Sequence, residues 1–127
     1  MAVSGEERIR QLTQQMLRKT LFVILSKGAA SADAIGALLP KHLEYMIGLE
    51  RQGVLFASGP LKTAPGAPAG DGLTIIRAAD ADEARAIAAA DPFVVNGLRS
   101  FDLREWTVME GSFGVTVKFS DQSAEIA

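Results

Sequence analysis

Residues 39–61 of the chain, LPKHLEYMIGLERQGVLFASGPL, pass from a predicted helix to a predicted strand and then to a glycine-proline loop. Pro40 suits the first turn of a helix, where its missing N–H breaks no hydrogen bond, and Gly53 suits the position just after the last turn. We therefore predict a helix over residues 40–52 and a strand over residues 54–58. The rest of the fold is organised around this helix and strand.

The predicted helix has three faces, because each residue advances it by about 100°. One face should lie on a sheet and carries Leu43, Met46, Ile47 and Glu50. The opposite face is polar and should meet solvent. A third stripe lies between them and carries His42, Tyr45 and Leu49, of which His42 is the only histidine in the chain. We expect this third stripe to border a pocket or an interface.

The second half of the chain contains a helix that ends on a misplaced carboxylate. A capping-box sequence, DADE, starts this helix over residues 81–90, and its buried stripe consists of Ala84, Ile87 and Ala88. The next member of the stripe is Asp91, where an apolar residue is expected. Asp91 alternatively caps a short turn at residues 92–96, since Asp before a first-turn proline is a favourable N-cap. The two roles are compatible, because one carboxylate oxygen can accept from the backbone while the other accepts from a histidine.

Four further strands complete the predicted fold. The apolar run 20–26 suits a central strand, and residues 73–77 and 101–109 supply the next two. Residues 115–119 alternate between apolar and polar and predict a fifth, C-terminal strand in a hairpin with the fourth. The order strand, helix, strand, strand, helix, strand is the ferredoxin-like α+β arrangement, with two helices on one face. The other face needs a cover, which a second subunit would supply in a homodimer.

Residues 59–72, GPLKTAPGAPAGDG, contain four glycines and three prolines and predict a loop. A loop of this length in a small domain is typically functional or mobile. We expect a flap that is more mobile than the strands it joins, with Ser58, Gly59 and Pro60 bordering the same cavity as His42. The alternative is a plain connection exposed to solvent.

The two ends of the chain lie outside the predicted core domain, which spans residues 20–120. An N-terminal helix within residues 1–19 is indicated by the helical spacing of Ile9, Leu12, Met16 and Leu17. It would serve as a cap or dimer contact or, alternatively, as a partner-binding arm. Residues 121–127 read as a polar tail. The apolar run 21–25 is too short for a signal peptide or a membrane span, and we expect a cytoplasmic protein.

Two stretches of the sequence resemble the signatures of a known family. HLEYMIGLERQGVLFASGPL, residues 42–61, and ADADEARAIAAADPFVVNGLRSFDLREW, residues 79–106, are similar to the two signatures of the YCII-related domain family. The resemblance implies a ferredoxin-like fold, usually in a dimer built like the dimeric α+β barrels. It also implies cofactor-free chemistry on small, often aromatic-derived metabolites, including dehydrochlorinase-like elimination. The His and Asp proposed for that family's active site correspond here to His42 and Asp91.

The composition excludes several classes of function. The 127 residues are 48% hydrophobic and 22% charged, which suits one globular domain with its own core. A net charge of −2 without a basic cluster argues against nucleic acid or an anionic membrane as a partner. The absence of cysteine excludes disulfides and thiolate metal sites, and a single histidine argues against zinc. With no phosphate loop or nucleotide fingerprint, we predict neither a metal nor a cofactor.

Two classes of function remain. In the first, the protein is a cofactor-independent lyase or isomerase, in which His42 is the general acid or base and Asp91, about 3 Å away, holds its ring. In the second, the domain is a non-catalytic module that binds a small ligand or builds a dimer, and the contact of His42 with Asp91 is a structural hydrogen bond. The residues predicted to bind the small-molecule substrate are Tyr45, Leu49, Ser58, Gly59, Pro60 and Phe93.

Overall fold

The computed structural model describes residues 2–28, 30–66 and 70–127. Along the chain, its elements are α1 (Gly5–Thr13), β1 (Lys19–Gly28), α2 (Ala32–Arg51), β2 (Leu55–Leu61), β3 (Asp71–Ile76), α3 (Ala81–Ala89), α4 (Pro92–Val95), β4 (Arg99–Val108), β5 (Val115–Val117) and β6 (Ala124–Ile126). They form two compact units: the first is Thr20–Thr107, and the second is Met1–Lys19 with Val108–Ala127. None of the described helices combines the length and the hydrophobicity that a membrane span requires.

The first unit is an α+β domain built on a four-stranded sheet in the order β2-β3-β1-β4. Strand β3 pairs antiparallel with β1 on one side and with β2 on the other. Helix α2 connects β1 to β2, and α3 with the short α4 connects β3 to β4. This connectivity and strand order are the ferredoxin-like arrangement that the sequence predicts. Strand β1 lies between β3 and β4, as its continuous apolar run indicates.

The core of this unit lies between one face of the sheet and α3. Alternation along β1 sends Phe22 and Ile24 to this face, and Phe22 stands opposite Ile76 of β3. Ala84 and Ala88 of α3 join the same buried cluster, in which no residue is more than 5% exposed. Small side chains on α3 let the helix approach the sheet closely. Each large apolar side chain buried here contributes about 1.5–3 kcal/mol.

Helix α2 is a single helix of 20 residues with Pro40 inside it, so the predicted start at Pro40 is wrong. Its N-cap is Ser31, whose hydroxyl accepts from the Ala34 N–H at 3.2 Å. Pro40 has no N–H to donate to the Gly36 carbonyl four residues earlier. Because both residues are exposed, water can hydrogen-bond that carbonyl instead. The lost bond therefore does not divide the helix.

The end of α2 agrees with the prediction made from Gly53. This residue has a φ of +74°, which glycine adopts without steric cost. Its N–H donates to the Glu50 carbonyl at 3.0 Å, and the Val54 N–H donates to the Leu49 carbonyl at 2.9 Å. These two bonds form a Schellman motif, which satisfies the last carbonyls of the helix and turns the chain into β2.

The buried face of α2 is rotated from the predicted one. Leu43 and Ile47, predicted to lie on the sheet, are 47% and 46% exposed. The inward stripe follows the spacing i, i+3, i+4 and i+7 and consists of His42, Tyr45, Met46 and Leu49. The polar side chains of His42 and Tyr45 can occupy this stripe because each has a hydrogen-bond partner within the unit.

Strands β2 and β3 extend into the predicted loop over residues 59–72. Gly59 stands opposite Leu73, and Pro60 stands opposite Gly72, so both belong to the sheet. Pro60 lies in an edge strand, which is where proline is tolerated within a sheet. The connection is therefore shorter than predicted. Residues 67–69 lie outside the described residues, and the mobility of the flap stays a prediction.

The second unit contains α1 and a small β-hairpin. The Ser4 hydroxyl caps α1 by accepting from the Glu7 N–H at 3.1 Å, and none of the nine described residues of the helix is buried. The predicted C-terminal strand is present as β5, but its partner is β6, so the predicted hairpin with the fourth strand is wrong. Strand β6 lies in the segment for which composition predicts only a polar tail. The Lys118 N–H donates to the Ser123 carbonyl at 2.9 Å and closes the hairpin.

Candidate functional site

An open cleft of about 510 Å³ lies in the first unit, where α2 faces β2, β3 and the start of β4. Its apolar wall consists of Ile35, Leu39, Leu43, Met46, Ile47 and Leu55. The volume is within the range of about 300–1,000 Å³ that is typical of small-molecule sites. The half-exposed leucine and isoleucine side chains of α2 thus form one side of the cleft.

Several residues that the sequence predicts for the site do line this cleft. They are His42, Ser58, Gly59, Pro60 and Phe93. The Ser58 hydroxyl lies 3.0 Å from the hydroxyl of Thr74, its partner in the β2–β3 register. The extended β2 strand therefore carries the Ser-Gly-Pro segment to the same cavity as His42, as the sequence predicts.

His42 is held by Asp91 through one of its two ring nitrogens. Nδ1 of His42 lies 2.8 Å from Oδ1 of Asp91, and both side chains are nearly buried, at 12% and 13% exposed. An ionised carboxylate only accepts hydrogen bonds, so Nδ1 carries the hydrogen and donates it. In the neutral ring, Nε2 is then the unprotonated nitrogen. Nε2 makes no hydrogen bond to any described residue.

Asp91 also caps the short helix α4. The same oxygen, Oδ1, accepts from the Phe93 N–H at 2.9 Å, and Pro92 occupies the first helical position. Both roles foreseen for Asp91 are therefore present. They use one carboxylate oxygen, whereas the sequence predicts that each would use its own. Asp91 is only 9% exposed, and the cap and the histidine contact together account for a carboxylate at a buried position.

Phe93 supports the His42 ring from its face. The two rings are stacked, with centroids 4.3 Å apart and an angle of 21° between their planes. Phe93 is fully buried, so its ring is packed on all sides. The imidazole is therefore positioned by a hydrogen bond at Nδ1 and by contact with a buried ring.

Tyr45 and Leu49, predicted to bind substrate, do not line the cleft. They border a separate cavity of about 10 Å³, which has room for about one water molecule. The Tyr45 hydroxyl donates to the Ile87 carbonyl at 2.8 Å and ties α2 to α3. Burial raises the pKa of the Tyr45 phenol, and the charge of Asp91 raises this pKa further. Leu49 is 6% exposed and belongs to the core.

Arg99 is a cleft residue that was not predicted from the sequence. It is the first residue of β4, lines the cleft, and places its guanidinium carbon 4.7 Å from the centroid of the Phe93 ring. Phe101 and Leu103 alternate on the core face of β4, and extending this alternation backwards by one step reaches Arg99. This alternation is the signal in the sequence from which the position of Arg99 could have been predicted.

The placement of Arg99 follows from a second Schellman motif. The Gly97 N–H donates to the Val94 carbonyl at 3.1 Å, and the Leu98 N–H donates to the Phe93 carbonyl at 2.8 Å. Gly97 has a φ of +73°, which glycine tolerates best. Only three residues separate the end of α4 from the start of β4, so the guanidinium returns to the ring of Phe93. Across the described residues, no group of three or more His, Cys, Asp and Glu side chains is placed to hold a metal ion.

A comparison with protein-family models matches the whole first unit. The family model described as YCII-related domain matches residues 20–107. Among solved structures, the 5-chloro-2-hydroxyhydroquinone dehydrochlorinase from Burkholderia phenoliruptrix, in complex with 2,5-dihydroxybenzoquinone, is similar with a TM-score of 0.59 and 23% sequence identity. The similarity covers 68% of this chain and 92% of that one and shows a common fold. A search of the curated proteins gave no match.

Proposed function

The chain belongs to the YCII-related domain family, and we propose that it is an enzyme that performs acid-base chemistry without a cofactor. The proposed reaction is an elimination or isomerisation of a small apolar or aromatic-derived metabolite bound beside His42. The observation that carries the proposal is the geometry of this histidine. One ring nitrogen is held by a nearly buried carboxylate, and the ring lines a cleft of metabolite size.

In this proposal, His42 moves the proton and Asp91 orients the ring. Nε2 takes a proton from a carbon atom of the substrate, and the carboxylate of Asp91 stabilises the positive charge that the ring acquires. In an elimination, the electrons of the broken C–H bond form a new double bond, and the leaving group departs from the neighbouring carbon with its bonding electrons. In an isomerisation, the proton returns from Nε2 to a different atom of the substrate.

The structural neighbour suggests the first substrate to test. That protein is named as a 5-chloro-2-hydroxyhydroquinone dehydrochlorinase, so elimination of hydrogen chloride from a chlorinated hydroquinone heads the screen. At 23% identity the likeness concerns the fold, so the screen extends to other halogenated phenols and to unsaturated lactones. We expect turnover of at least one class without added metal or cofactor, measured by chloride release or ultraviolet absorbance. Failure of every class would contradict the proposal.

The second candidate is a non-catalytic module that binds a small ligand or builds a dimer. The double use of Asp91 Oδ1 favours it, because the contact with His42 then serves to join α2 to the N-terminus of α4. In that case, replacement of His42 lowers the thermal midpoint of unfolding without affecting any turnover. The enzymatic function is favoured by Nε2 of His42, because this nitrogen has no hydrogen-bond partner among the described residues.

We also propose that the protein forms a homodimer through the sheet face that points away from α3. Alternation along β1 and β3 directs Val23, Leu25 and Leu73 to this face, and Leu25 is 38% exposed. A shallow cavity of about 180 Å³ on β2 and β3 is lined mainly by apolar side chains, among them Leu61 and Leu73. A two-fold axis would bury the same patch of both subunits at once.

A further inference from the structure

Arg99 carries a buried hydrogen-bond donor that the protein does not use. Its Nε atom is buried and has no hydrogen-bond partner among the described residues. The ion pairs formed by those residues also leave Arg99 out. Buried donors of charged groups are normally paired, because burial without a partner is costly. An unpaired guanidinium at the edge of a cleft is therefore a feature that needs a functional explanation.

The position of the guanidinium relative to His42 is set by Phe93. The phenyl ring stacks on the imidazole at 4.3 Å between centroids and lies 4.7 Å from the guanidinium carbon. Both side chains line the same cleft. One fully buried ring thus holds a titratable base and a permanent cation beside a single ligand-sized space.

Gly72 lies directly beside this arginine. A Cβ atom built on Gly72 would lie 3.3 Å from Nη1 of Arg99, which is tighter than nine in ten real Cβ contacts. Gly72 lies in β3, is buried, and itself lines the cleft. A side chain at this position would therefore require the guanidinium to shift by a few tenths of an ångström.

We propose that Arg99 binds an anionic oxygen of the ligand, either a carboxylate or the phenolate or enolate oxygen of a small ring. Guanidinium N–H groups form their strongest hydrogen bonds with such oxygens. The apolar wall of the cleft then holds the carbon skeleton. Glu50 also lines the cleft, but it is exposed to solvent and forms no ion pair with Arg99.

This assignment deepens the proposed function and rests on it for the chemical step. When His42 removes a proton from a carbon beside a carbonyl group, negative charge develops on the carbonyl oxygen. A cation already aimed at that oxygen stabilises the charge as it forms, without further rearrangement of the protein. Arg99 would then favour small ligands that carry an anionic oxygen close to the carbon atom that loses its proton.

The test compares a charged probe with its neutral isostere. Isothermal titration is carried out with benzoate and with benzamide, which have similar shapes but differ in charge, and with 4-nitrophenol at a pH where it is ionised. We expect benzoate or the phenolate to bind at least about tenfold more tightly than benzamide. The stronger of the two anions identifies the oxygen that the site prefers.

Variants of the protein test whether Arg99 causes this preference for anionic ligands. Arg99→Gln should weaken anion binding by about 10- to 100-fold and leave benzamide binding unchanged. Arg85→Gln removes the same charge from an exposed position of α3 outside the cleft and should change neither. Gly72→Ala should weaken anion binding less than Arg99→Gln does, because its methyl group shifts the guanidinium by only a few tenths of an ångström. Circular dichroism and the fluorescence of the single tryptophan check that each variant is folded.

Equal affinity of the wild-type protein for benzamide and for both anions would overturn the assignment, and this comparison does not depend on the folding of any variant. Binding of none of the probes, or equal losses in the two arginine variants, would overturn it too. Failure of the proposed catalytic function would be recognised by a different result. If the anion preference is found but no substrate is turned over, Arg99 is a ligand-binding residue in a non-catalytic module.

Discussion

The Nδ1 atom of His42 lies 2.8 Å from Oδ1 of Asp91, and the two residues are 49 positions apart in the chain. The same carboxylate oxygen accepts the N–H of Phe93, whose ring stacks on the imidazole. The carboxylate that holds the histidine is therefore itself fixed by the start of α4. This arrangement couples the orientation of a candidate base to the local fold.

Replacing Asp91 should separate its charge from its capping role. Asp91→Asn keeps an oxygen for the Phe93 N–H, and we expect a loss of about 1–2 kcal/mol in the free energy of unfolding. Asp91→Ala removes both the cap and the partner of His42, with an expected loss of about 2–4 kcal/mol. Urea denaturation of the two variants measures this difference. Equal stabilities would mean that the cap contributes nothing.

Much of the fold could be predicted because its signals are local. The continuous apolar run of β1, the glycine after α2 and the capping box before α3 each fix an element, and the order of elements then gives the sheet. The Glu83 N–H does donate to the Asp80 carboxylate at 2.8 Å. The elements that differ depend on pairing and packing that local patterns do not specify. Strand β5 pairs with β6 and not with β4, and α2 continues through Pro40 because the packing of its inward stripe outweighs one lost hydrogen bond.

Helix α2 should become more stable when Pro40 is replaced. Pro40→Ala restores an N–H that can donate to the Gly36 carbonyl and removes the clash of the proline ring with that turn. We expect a gain of about 1–3 kcal/mol in the free energy of unfolding, because proline is about 3 kcal/mol less favourable than alanine inside a helix. Thermal and urea unfolding measure the gain. A loss of stability would indicate that the chain benefits from a break at Pro40.

Tyr45 provides a spectroscopic probe of the charge on Asp91, since it is the only tyrosine in the chain. Burial and Asp91 raise its pKa, so phenolate absorbance should appear above the ordinary pKa of about 10. The folded pKa exceeds the unfolded one. The stability due to the protonated phenol is therefore fully present below about pH 10 and is lost as the pH rises through the folded pKa.

The same titration compares two carboxylate variants. Asp91→Asn should lower the Tyr45 pKa part of the way towards its ordinary value, because burial remains the larger cause. Asp82→Asn removes an exposed charge from α3 and should leave the titration unchanged. An identical phenolate titration in wild type and Asp91→Asn would show that Asp91 carries no charge beside Tyr45.

The site was less predictable than the fold, for a geometric reason. Helical spacing placed His42, Tyr45 and Leu49 on one stripe, but it could not fix the rotation of that stripe towards the sheet. As a result, Leu43 and Ile47 line the cleft, and Leu49 belongs to the core. The anomaly of a carboxylate in an apolar series did identify Asp91. Arg99 was not predicted because an arginine at the start of a strand is common. Its contact with the Phe93 ring becomes visible only in the folded structure.

A homodimer should form through the sheet face that carries Val23, Leu25 and Leu73. Multi-angle light scattering in dilute solution should give twice the chain mass of 13.5 kDa. Leu25→Lys places a charge in the proposed interface and should give a folded monomer, because an unpaired buried charge is costly. Asp82→Lys alters the charge of an exposed position of α3, which packs on the other face of the sheet, and serves as a control. A monodisperse monomer of the wild-type protein would contradict this proposal.

The role of His42 in moving a proton is tested by the kcat/KM of His42→Gln on a substrate found in the screen. Glutamine keeps a polar side chain on α2, and Glu44→Gln, on the exposed side of the same helix, is the matched control. Removal of a general base typically lowers the rate by about 10² to 10⁴. We expect a loss in that range for His42→Gln with fold and dimer intact, and unchanged activity for Glu44→Gln. Full activity of His42→Gln, with only a lower thermal midpoint, would contradict the account.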